Sequence, residues 1–109
     1  MTAPAPSDAA RLDDHPITAN SGHRRLTVST SPASITLVAG VYEVYNSGTV
    51  LAYVRIGSAV SIPSSGDPEV SGQAPVPAGG AITLSMDAGD LHGLTASGSA
   101  TLEIVRKVT

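Results

Sequence analysis

The stretch VYEVYNSGTVLAYVRIG, Val41 to Gly57, decides the fold. Two runs rich in Val, Ile and Tyr flank Asn46-Ser47-Gly48-Thr49, the composition of two strands around a turn. It reads as a β-hairpin, with Gly48 the natural place for a positive φ. A two-residue loop, Ser47-Gly48, would put Tyr45 opposite Val50 and Glu43 on the face of Ala52, Val54 and Ile56. A three-residue loop, Ser47-Gly48-Thr49, groups Tyr42 and Val44 with Val50, Ala52, Val54 and Ile56. Glu43, Tyr45, Leu51, Tyr53 and Arg55 then share the other face. The second register separates the charges from the smaller apolar side chains, and a slip of one residue destroys that separation. Its outer face is rich in tyrosine, so Tyr45 and Tyr53 are candidate partner contacts.

Composition supports a chain of such strands. The 109 residues suffice for one domain with a real core. Eleven Gly and eight Pro, with charged residues at only 14%, suit an all-β domain with many turns better than a helical bundle. Phe and Trp are absent. The core must then be built from Val, Ile, Leu, Ala and Met, which fill a thin sandwich and leave little to line a large ligand pocket. The formal net charge of −3 provides no basic field for nucleic acid, and His23-Arg24-Arg25 is too short to make one. With no cysteine, disulfide scaffolds, thiolate zinc sites and cysteine nucleophiles are excluded. No apolar run is long enough for a membrane-spanning helix. The start, MTAPAPSDAARLDD, lacks the basic-then-apolar order of a signal peptide, so synthesis in a cytoplasm without ordinary export is expected.

Residues 1–24 differ from the rest. They hold Pro4, Pro6 and Pro16, many Ala, and charges that balance once Arg25 is counted, but only sparse apolar residues such as Leu12 and Ile17. Such a composition reads as a disordered tail, or as an extended N-terminal arm held by a neighbouring subunit. If the arm lashes subunits together, Arg11, Leu12, Ile17, Arg24 and Arg25 are its candidate contacts.

From Leu26 the period changes to two. Leu26 and Val28 alternate with Thr27 and Ser29, and Thr30-Ser31-Pro32 turns the chain. Ile35 and Leu37 form a second strand, and Ala39-Gly40 leads into the central pair. Ala59 to Ile62 reads as a short strand. Pro63 to Gly80 is irregular, with four prolines and four glycines; a loop of that length reads equally as a functional segment or as a tolerated surface insertion. Val76 would anchor it as a brief edge segment and serve as a further candidate contact. Ala81–Met86, Leu91–Ala96 and Ser99–Val108 complete the pattern, the last with Ala100, Leu102 and Ile104 inward. Seven or eight short strands, with a turn about every ten residues, predict one antiparallel β-sandwich or jelly roll over residues 25–109.

Catalytic chemistry has no visible carriers. His15, His23 and His92 show no metal-ligand spacing, and the acids lie in the arm or in turns. Asp87-Ala88-Gly89-Asp90 supplies only part of a calcium loop. No serine sits in Gly-x-Ser-x-Gly, and no glycine-rich loop opens a helix. The expectation is a protein that is not an enzyme and needs no cofactor or metal.

Four pieces of sequence, in order, form a series: Tyr42-Glu43-Val44-Tyr45-Asn46-Ser47-Gly48, Ala52-Tyr53-Val54-Arg55-Ile56-Gly57, Pro75-Val76-Pro77-Ala78-Gly79, and Leu94 to Leu102. The series resembles one common in small virion structural proteins of tailed bacteriophages, and it covers most of Val41 to Arg106 but none of the arm. The resemblance implies a β-sandwich that assembles on a capsid or tail and carries no catalytic residues. It leads to the expectation of a head decoration, or cement, protein on the capsid surface. Its partners would be the major capsid protein or other virion proteins, and further copies of itself in an oligomer. No nucleic acid or membrane partner is expected. A tail, neck or baseplate component, or a glycan-binding module, is the alternative.

Overall fold

Period-two alternation becomes strand throughout the computed structural model, which describes residues 21–107. The strands are β1 (Gly22–Val28), β2 (Ala33–Leu37), β3 (Gly40–Asn46), β4 (Ala52–Ile56), β5 (Gln73–Val76), β6 (Ala81–Met86), β7 (Gly89–Thr95) and β8 (Ala100–Lys107). They form two four-stranded antiparallel sheets, ordered β1-β8-β3-β6 and β2-β7-β4-β5. The pairs β1–β8, β2–β7, β3–β6 and β4–β5 nest like one long hairpin rolled over on itself. That is the topology of a jelly roll.

The core lies between the sheets. Val28, Val44, Val76, Leu91, Leu102 and Ile104 are sealed from solvent, each side chain contributing about 1.5–3 kcal/mol by burial. With no large aromatic except Tyr42 inside, the sheets come close. Gly93 shows how close: a Cβ there would strike Cγ1 of Val28 in the opposite sheet. The tyrosine hydroxyl is satisfied at the rim, donating to the Val38 carbonyl at 2.7 Å.

The structure corrects the central hairpin. β3 is already paired on both sides, with β6 and β8, while β4 lies between β5 and β7 in the other sheet. Ser47 to Leu51 therefore crosses between sheets instead of turning back. The inward face was nonetheless rightly assigned: Tyr42, Val44, Ala52 and Val54 are all buried, because both strands line one core from opposite sides. Gly48 does not have a positive φ. Its lack of a side chain serves close approach, since a Cβ would come within 2.9 Å of Ala100 Cα.

Two boundaries also move. Gly22, His23 and Arg24, assigned to the arm by composition, belong to β1 and pair with β8. Ala59 to Ile62 is not a strand. The Gln73 side chain takes the place of a partner strand there, accepting from Ser61 N at 3.1 Å and donating to Ser61 O at 2.9 Å. Val76 does lie on an edge strand, as β5 ends its sheet.

Candidate functional site

One end of the sandwich is tied together by residues far apart in sequence. Alternation from Tyr42 and Val44 carries Asn46 to the inward face, where it is fully buried. A buried amide must find partners, and this one does. Asn46 Nδ2 donates to Val50 O at 2.8 Å and to Val76 O at 3.0 Å, while Oδ1 accepts from Gly48 N at 2.9 Å. Its backbone joins the same knot: Asn46 N donates to Gly80 O at 2.9 Å, and Gly79 N donates to Asn46 O at 2.8 Å. Ser47 N reaches Thr101 O at 2.9 Å. Thr95 Oγ1, also buried, donates to Gly98 O at 2.7 Å.

The candidate contact residues do not gather into one surface. Tyr45 points outward from β3 and Tyr53 from β4, so crossing between sheets places them on opposite outer faces. The single tyrosine face expected of a hairpin is not formed. Val76 is a second correction: it has no exposed surface and packs in the core, because only β5's alternate residues face out. Arg11, Leu12 and Ile17 lie outside the described residues.

Arg24 and Arg25, adjacent on β1, point to opposite faces of their sheet. Arg25 meets Glu103 across the ladder, Nε to Oε2 at 2.9 Å, and His23 Nε2 meets the other carboxylate oxygen at 2.7 Å. These hydrogen bonds, His23's first, hold the Glu103 carboxyl below its ordinary range despite some desolvation. Arg24 instead shares the inward-facing row with Arg106, beyond the last apolar layer, where the sandwich opens. With Gly22, His23, Thr36, Leu37, Val38 and Tyr42 they line a groove of about 260 Å³. Arg106 was not singled out from the sequence, although its place two residues after Ile104 puts it on the inward row.

A second groove, of about 290 Å³, lies beside Tyr53 and is walled by Pro63, Pro68 and Pro75. Two of its polar side chains are engaged internally. Asp67 Oδ2 accepts from Ser64 N at 2.7 Å, and Gln73 holds Ser61. Among the described residues, no group of three or more His, Asp or Glu is placed to hold a metal, and no buried side-chain polar atom lacks a partner.

Compared with known proteins, the chain matches no protein-family model, no curated protein and no solved structure.

Proposed function

We propose that this chain is a non-enzymatic virion structural protein of a tailed bacteriophage. Within that class it is a head decoration, or cement, protein that binds the assembled capsid as an oligomer and stabilises it. One observation carries the reading. Pieces of the phage-like series that are separate in sequence form one physical assembly: Asn46 and Gly48 of the first, Val76 and Gly79 of the third, and Ala100 and Thr101 of the last meet at one end of the sandwich. Residues that meet in this way constitute a building plan, which is harder to reproduce by chance than isolated strand and turn fragments. The jelly roll is a fold that serves in viral capsids and also in lectins, so the series, not the fold, selects the function.

The lectin alternative is favoured by no feature of equal weight. Its aromatic platform would need Tyr45 and Tyr53 together, and they occupy opposite faces.

The test uses phage particles whose copy of this gene is disrupted. Purified protein should bind their heads saturably and raise the temperature at which they release DNA. Binding to tails alone, or glycan binding with no particle binding, would overturn the assignment.

A further inference from the structure

Arg24 and Arg106 differ from the other arginines among the described residues. Arg25 is engaged by Glu103, and Arg55 donates to the carbonyls of Ser71 and Ala59, each at 3.1 Å. Among the described residues, Arg24 and Arg106 find no hydrogen-bond or ion-pair partner. They are diagonal neighbours on adjacent antiparallel strands, Arg24 opposite Ile104 and Arg106 opposite Gly22. That geometry sets their Cβ atoms roughly 7–8 Å apart on one face. Two like charges so placed repel unless an anion lies between them.

None of the six acids among the described residues, Glu43, Asp67, Glu69, Asp87, Asp90 and Glu103, lines their groove. Leu37, Val38 and the ring of Tyr42 give it an apolar wall. The site therefore suits a carboxylate carried on a partly apolar segment. The net negative charge of the whole chain opposes a polyanion such as nucleic acid.

We propose that the Arg24–Arg106 groove is a carboxylate-binding site and that its occupant is the Asp13–Asp14 stretch of this chain. Three facts point to that occupant. The stretch is acidic and flanked by the apolar Leu12 and Ile17, which match the groove's charge and its wall. It belongs to the chain that enters β1 at Gly22, itself a lining residue of the groove. Asp14 precedes Gly22 by eight residues, a span of up to about 26 Å when extended, so the stretch can return to the groove or reach that of an adjacent copy. Guanidinium groups hold carboxylates with paired, charge-assisted hydrogen bonds. The proposal stands whether or not the protein is part of a virion.

The test follows the arginine Nε–Hε resonances of the full-length chain by NMR. In the double variant Asp13→Asn, Asp14→Asn, the Arg24 and Arg106 signals should move while those of Arg25 and Arg55 stay in place. Asp13→Glu with Asp14→Glu should restore the wild-type positions, and high salt should mimic the Asn variant. Dependence of the shifts on protein concentration would assign the stretch to a second copy, and independence to the same chain; either result supports the site. Unmoved Arg24 and Arg106 signals would overturn it. If only added millimolar succinate moves them, the groove takes carboxylates but the assigned occupant is wrong.

Discussion

Asn46 and Val76, thirty residues apart, are joined at one end of the sandwich by a buried hydrogen bond of 3.0 Å from the Asn46 amide to the Val76 carbonyl. Through that bond the strand leaving one sheet is tied to the edge strand of the other. The same side chain fixes the crossing by holding Val50 O and Gly48 N.

Asn46→Leu should therefore be costly although it adds an apolar side chain to a buried site. It strands one amide and two carbonyls, and unsatisfied buried groups cost about 1–3 kcal/mol each. We expect a loss of about 3 kcal/mol in urea denaturation. Ser47→Ala, at an exposed hydroxyl bonded to Thr101 O, should change stability by under about 0.5 kcal/mol. Equal effects from the two would mean that Asn46 is not the tie.

Gly93→Val should act through the opposite sheet. The new side chain collides with Val28, and overpacking of this kind costs about 1–3 kcal/mol. Pairing it with Val28→Ala should recover part of the loss, because that change vacates the space. A double variant no better than the sum of the two single changes would place the collision elsewhere.

Val76 and Tyr45 make opposite expectations. Val76→Asp buries an unpaired charge and should cost several kcal/mol, enough to unfold a domain of this size. Tyr45→Ser, at a residue 40% exposed, should cost under about 1 kcal/mol. Thermal melts of the two variants decide the matter; a wild-type melting point for Val76→Asp would return that residue to the surface.

Glu103 gives a pH dependence of known sign. Its carboxyl is held below the ordinary range in the folded state, so the unfolded chain binds a proton more readily. The stabilisation is complete above the unfolded pKa and is lost as pH falls through the folded one. The side chains that hold its carboxylate, Arg25 and His23, are mostly exposed, so the effect should stay under about 1 kcal/mol. Melting points of wild type and Glu103→Gln should differ near pH 6 and converge below about pH 4. A gap that widens in acid would reverse the sign.

The sequence discloses faces better than neighbours. Tyr42, Val44, Ala52 and Val54 could be assigned inward because alternation is a local property of a strand. Whether β3 and β4 paired or crossed depended on β3 meeting β6 and β8 while β4 met β5 and β7, pairings no local window contains. The same alternation, carried one step beyond Val44 and Ile104, reaches Asn46 and Arg106, so both were within its reach. Val60 and Ile62 carry strand-like side chains, but the ladder bonds there are supplied by a glutamine side chain, which no propensity anticipates. Tyr45 and Tyr53 were seen as outward-facing, yet separation onto opposite faces followed from the crossing alone.

The nested pairing also sets an order in time. Among the described strands, β4 and β5 are the only ladder partners adjacent in the chain and β1 pairs only with β8, where His23 and Glu103 meet across 80 residues. On a ribosome, β1 emerges early and must wait for nearly the whole domain before any strand can cover it. Contacts of such long range close slowly, and an unpaired strand is exposed to pairing with other chains while it waits. Two charged residues and a histidine in a row at His23-Arg24-Arg25 are the kind of protection that such an exposed edge requires.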